Sequence, residues 1–128
     1  MIFEAGAEGL PAELFESLVI EPNAALVRRL RALGVEVPII GFPRGAATMI
    51  GPYTDKVEIN GVGLDTAIEP SHVLNAVSDK IAVQGHLDPL LLIAGGAAMD
   101  RRVNQLLAAY ADRPHIFNLG HGVRPETP

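Results

Sequence analysis

The chain contains no cysteine, which excludes disulfides, thiolate metal sites and cysteine nucleophiles together. Long apolar runs are missing too. The best, Pro89 to Met99, falls far short of the roughly 20 residues needed to span a bilayer. No basic block exceeds the pair Arg28-Arg29, with Arg31 close by, and the formal charge is −5. That balance argues against a nucleic-acid groove. Met1 is not followed by a basic n-region, so no secretory signal is expected. Phosphate loops are absent as well: Gly95-Gly96 lies in an apolar helical stretch, and Gly61-Val62-Gly63-Leu64 runs into Asp65 rather than into a helix. These absences point to a cytoplasmic protein with neither a membrane nor a nucleic acid as partner.

What is present fits an ordinary globular domain. The 128 residues, 48% of them apolar and 20% charged, suffice for one core. Short apolar runs alternate with helical patterns. Met1-Ile2-Phe3 opens the chain. From Pro11 to Leu33 the apolar residues Leu14, Phe15, Leu18, Val19, Leu26, Val27, Leu30 and Leu33 keep a helical spacing. Pro22 must kink or split that helix, and Gly34 can stop it. Val37 to Ile40 reads as a strand ending at Gly41-Phe42-Pro43-Arg44-Gly45. A weaker helix follows over Ala47 to Val57, then a strand over Asn60 to Leu64. Ser71 can cap a helix carrying Val73, Leu74 and Val77. Lys80 to Val83 is the next strand. Asp88-Pro89 begins a helix, with Asp at the N-cap and Pro at N1. Val103, Leu106, Leu107 and Tyr110 form the stripe of another, and His115 to Leu119 is the last strand.

This β-α-β-α-β-α-β-α-β order predicts an α/β fold with a parallel sheet. Right-handed crossovers place every strand's C-terminal end on one edge. Glu4, Arg44, Asp65, Gln84 with His86, and His121 follow the five strands in turn, nearly all beside a glycine or proline. Barrels and open doubly wound sheets both build sites at such an edge. Gly120-His121-Gly122 is a poor strand interior, so His121 belongs on a sharp turn, either holding a ligand or merely capping it. Asp65 ends an apolar strand and needs a partner. Arg44 is the candidate, as a structural ion pair or as two substrate ligands. His86 and His121 with Asp65 or Asp88 make a 2-His-1-carboxylate metal site the less favoured alternative. His72, Arg28, Arg29 and Arg31 read as solvated helix residues, and His115 as the start of the last strand.

Four stretches carry a resemblance. "HIFNLGHGVRPETP" (115 to 128) closely resembles the C-terminal signature of the uroporphyrinogen decarboxylase family. "PIIGFPRGA" (38 to 46), "GVGLDT" (61 to 66) and "VQGHLDP" (83 to 89) match it in the same order, although the family usually has Asn at His86. The opening "IFEAGAEGLPAELFE" resembles the family's Phe-Asp/Glu-Ser-Trp/His-Ala-Gly segment.

The resemblance implies a (β/α)8 TIM barrel, of which this chain is the C-terminal part, about five β/α units in a single partial domain over 1 to 128. It also implies a cytoplasmic homodimer that decarboxylates the four acetate arms of uroporphyrinogen III to coproporphyrinogen III in haem biosynthesis, without cofactor or metal. Among site residues it carries over His121 and Phe3 as substrate contacts. Ala5 falls at the family's serine, so that hydroxyl is lost. Arg44 and Asp65 are further substrate-binding candidates. The family's Arg-Gln-Ala-Gly-Arg motif, pyrrole-gripping aspartate and tyrosine have no counterpart, so no catalytic residue can be assigned. Five parallel strands leave two exposed edges, which calls for self-association or an N-terminal half-barrel as partner. The alternatives are a non-catalytic half-barrel and a related corrinoid/thiol methyltransferase, whose cysteine-bound zinc this chain cannot supply.

Overall fold

The computed structural model describes all 128 residues. Five strands, β1 (Ile2–Glu4), β2 (Ile40–Pro43), β3 (Gly61–Gly63), β4 (Ala82–Gln84) and β5 (His115–Ile116), form one sheet in the order β1-β2-β3-β4-β5. Every adjacent pair is parallel, with Ile2 opposite Gly41, Gly61 opposite Ala82 and Val83 opposite His115. Spatial order follows chain order without reversal. Right-handed crossovers then lay every helix on the same face. A doubly wound sheet reverses its order at a switch point; this one does not, so it is wound as a barrel is.

Helices α1 (Ala12–Phe15), α2 (Glu21–Ala32), α3 (Ile50–Lys56), α4 (Pro70–Ala76), α5 (Pro89–Ala94) and α6 (Gly96–Ala109) pack on that face. The core lies between, and Val27, Tyr53, Val62, Val73, Val83 and Leu106 are all fully buried. Each such aliphatic side chain contributes on the order of 1.5–3 kcal/mol. The other face is open: Phe3 is 68% exposed.

Several boundaries differ from the sequence-based expectation, each for a local reason. Pro22 splits the first helix as expected, though at a wide turn that keeps the helical path and not at a break. A wide π-helical turn over Glu16–Ile20 joins α1 to α2, shifting the hydrogen-bond register just where Pro22 lacks its N–H. The second strand is Ile40–Pro43 rather than 37 to 40, and Val37 is exposed. Pro38 has no N–H for a ladder, and pairing begins only beyond it. Asn60 does not open the third strand. Its Oδ1 accepts from the Ile39 amide at 2.9 Å and from Arg31 Nη2 at 2.9 Å. Arg31 is therefore not a solvated residue: its Nη1 also donates to the Val35 and Val37 carbonyls at 2.8 and 2.9 Å. Ser71 caps nothing. α4 starts two residues earlier, at Pro70 with Glu69 at the N-cap position, and has no side-chain cap, because proline at N1 is already shaped for a helix start.

The fourth strand is displaced to Ala82–Gln84, and the fifth stops at Ile116. Beyond it the ladder resumes as a single contact, Leu87 with Leu119, after Asn118 turns its Oδ1 onto the Leu119 amide. Asp88 caps as expected, its Oδ1 accepting from Leu90 N at 2.8 Å, and Gly95 separates α5 from α6. His72 is exposed, yet its Nε2 lies 3.0 Å from the Ala47 carbonyl.

Candidate functional site

The strand C-terminal ends surround a cavity of about 430 Å³. Its floor is apolar. Phe3 of β1 meets Phe42 of β2 edge to face, ring centroids 6.1 Å apart, with Met1 beside them. Gly63 makes this possible: a Cβ there would lie 2.8 Å from the Phe42 ring. The rim is polar. Arg44, Gln84, Asn118 and His121 border the cavity. Ala5 borders a smaller recess beside it, with Phe3, Glu4, Phe42 and Arg44.

His121 is exposed on the turn after β5. Gly120 sets that turn down on the Asp65-Thr66 segment after β3. A Cβ at Gly120 would sit 2.6 Å from the Thr66 amide nitrogen, closer than any side chain allows. His121 is thereby held next to Arg44, whose Nη1 lies 3.5 Å from His121 Nε2. A guanidinium can only donate, so in any hydrogen bond between the two Nε2 is the acceptor.

Arg44 and Asp65 do not pair, contrary to expectation. Asp65 Oδ2 accepts from the Gly45 amide at 2.8 Å, and Oδ1 from the Ala67 amide at 3.0 Å. Both oxygens are committed to backbone donors, which satisfies this half-buried carboxylate without a cation. Arg44 Nη2 pairs instead with Glu8 Oε2 at 3.2 Å.

Nor do the two histidines converge. His86 is buried, 1% exposed, with Nε2 hydrogen-bonded to the Tyr110 hydroxyl at 3.0 Å. Burial, and secondarily the Arg102 charge, lower its pKa to about 4, so His86 is neutral at pH 7. Burial likewise raises the Tyr110 pKa to about 12. His115 closes this cluster, donating from Nε2 to the Gly85 carbonyl at 2.8 Å. His86 thus belongs to the helix-side core, and no three His, Asp or Glu side chains stand together in metal-binding geometry.

Of the residues singled out in the sequence, His121, Phe3, Arg44 and Gln84 line the cavity and Ala5 the recess beside it, while Asp65 lines neither. Sequence reasoning missed Phe42, Asn118 and Glu8. Phe42 was legible, since it alternates with Ile40 and so shares the face of Phe3 across the register. Glu8, in the loop after β1, carries no local signal.

A singly wound parallel sheet with an apolar floor and polar strand-end residues is a sector of a (β/α)8 barrel with its site at the usual edge. The sequence profile of the family described as "Uroporphyrinogen decarboxylase (URO-D)" matches residues 1–128. The chain belongs to this family. It is 56% identical over 128 residues to the uroporphyrinogen decarboxylase of Hyphomonas neptunium, which covers all of this chain and 37% of that protein. It is 48% identical over 127 residues to the one of Maricaulis maris and 46% identical to that of Sphingopyxis alaskensis, in each case 99% of this chain against 37% of the relative. The chain therefore spans little more than a third of the length of the relatives it matches.

Proposed function

We propose that this chain supplies the C-terminal β/α units of a uroporphyrinogen decarboxylase and acts when joined to the N-terminal units. The observation that carries this reading is the amphipathic cavity. A floor of Met1, Phe3 and Phe42 suits the faces of pyrrole rings, and the rim residues Arg44 and His121 suit their carboxylate arms. The family membership and the two unpaired sheet edges, β1 and β5, support it.

The reaction asks for little beyond a shaped polar pocket. Protonating a pyrrole carbon turns the ring into an electron sink. The C–C bond to the acetate carboxylate then breaks, CO2 leaves, and its electron pair enters the ring system. A second proton makes the methyl group, and the ring proton is returned. Each acetate thus consumes one net proton and needs no redox partner. Phe3 and Phe42 hold the ring against an apolar wall. Arg44 and His121 hold a carboxylate, with Asp65 supporting their turns, while Ala5 leaves open the space of the family's serine. In this reading the general acid and the pyrrole N–H anchor come from the N-terminal units. The complete enzyme is cytoplasmic, homodimeric and cofactor-independent.

The test is anaerobic incubation with uroporphyrinogen, of the chain alone and of the chain with the N-terminal part of the H. neptunium relative. Coproporphyrinogen from the pair alone is the expected result. No product from a folded pair overturns the reading and favours a non-catalytic half-barrel, for which the missing hydroxyl at Ala5 already speaks. Product from the chain alone would place a proton donor within these residues and overturn the division of roles.

A further inference from the structure

We propose that Arg44 and His121 form the seat of one substrate carboxylate, and that Glu8 holds one donor of that seat, Arg44 Nη2, as an internal stand-in which the substrate displaces. The proposal rests on the reading above and adds a residue to it. Glu8 reaches Arg44 from outside the cavity, and Arg44 is the only hydrogen-bonding partner of its side chain. Glu8 is 69% exposed and Arg44 39%. An ion pair so open to water holds weakly and exchanges readily.

The contact is nonetheless built into the backbone. Gly45 has φ +76°, and a Cβ there would lie 2.5 Å from Glu8 Cβ. Only glycine lets Glu8 pack over the turn that carries Arg44. The other side of the seat is rigid. Asp65 Oδ2 holds the Gly45 amide, and Gly120 presses on the same Asp65-Thr66 turn. One turn therefore sets the separation of Arg44 and His121, which makes Asp65 a positioning residue. Glu8 has no such anchor.

The guanidinium uses Nη2 on Glu8 and Nη1 on His121. A carboxylate entering from the cavity takes both donors side by side, the favoured fork geometry. It releases Glu8 to solvent and relieves His121 Nε2 of its contact with Arg44, so that the imidazole takes the form that donates from Nε2 to the carboxylate. Glu8 thus makes Arg44 selective for ligands whose carboxylate arrives with other contacts, since an isolated carboxylate gains little over Glu8.

The test uses uroporphyrin, the fluorescent oxidised octacarboxylate, titrated into the 128-residue chain at low salt. Glu8→Gln is expected to tighten binding about threefold, the scale of an exposed ion pair. Arg44→Gln is expected to weaken it about tenfold, and Glu8→Gln to have no effect once Arg44 is gone. Glu13→Gln makes the same charge change on α1, away from the cavity, and is expected to leave binding unchanged. The seat is overturned if folded wild-type chain fails to bind, if Glu8→Gln does not tighten binding, or if its effect survives in the Arg44→Gln background or is matched by Glu13→Gln. Turnover by the joined halves judges the decarboxylase reading separately. Turnover without a Glu8 effect sinks the seat alone, and Glu8-dependent binding without turnover sinks that reading alone.

Discussion

Arg44 Nη1 and His121 Nε2 meet at 3.5 Å across 77 residues of chain. Each sits on a turn braced against the Asp65-Thr66 segment, Arg44 through the Gly45 amide and His121 through the close approach of Gly120. The geometry of the pair is thus a property of three strand ends at once.

Gly120→Ala tests this bracing. The added methyl lands 2.6 Å from the Thr66 nitrogen and 2.9 Å from the Asp65 carbonyl carbon, both rigid backbone atoms. The expected cost is about 1–3 kcal/mol, the usual range for overpacking, together with weaker uroporphyrin binding. Urea denaturation and the fluorescence titration read the two effects. Unchanged binding with lowered stability would separate Gly120 from the placement of His121.

His86 makes stability depend on pH. Its folded pKa is lowered to about 4, against about 6.5 for an unperturbed histidine. Between these values the unfolded chain binds a proton that the folded chain does not, so unfolding free energy falls as pH falls. The loss is nil above pH 7, accrues from pH 6.5 down to 4, and reaches about 3 kcal/mol. His86→Asn cannot titrate and flattens this slope. Urea midpoints of both forms between pH 4 and 8 check it, and equal slopes would show that other groups carry the dependence.

Arg31 is expected to matter more than its place on a helix surface indicates. Its guanidinium serves the Val35 and Val37 carbonyls and Asn60 Oδ1, tying the end of α2 to the approach to β2 and β3. Arg31→Ala is expected to cost about 2 kcal/mol. Arg31→Lys restores less than half of this, because one ammonium cannot span the planar fork. Thermal or urea unfolding of both variants decides, and Arg28→Ala, on an exposed residue of the same helix, is expected to change stability by less than about 0.5 kcal/mol.

The alternation of apolar runs and helical stripes, with glycines and prolines between, determined the element order, the parallel sheet and the edge on which polar residues gather. Those features arise from nearest neighbours along the chain, where period and turn chemistry act. Asp88 with Pro89 was legible for the same reason, since a cap and its helix lie within three residues. Partner choice was not. Asp65 faces Arg44 in strand order, yet backbone amides from its own turn and from Gly45 satisfy it first. His86 follows a strand end as His121 does, but packing against Tyr110 draws it into the core, while the Gly120 contact keeps His121 at the cavity. Glu8 has no pattern at all and finds Arg44 only because β1 and β2 are paired. Local sequence chose the elements and the edge; which polar groups stay in water, and which meet, was decided only in three dimensions, where a few ångströms of backbone separate a satisfied carboxylate from a free one.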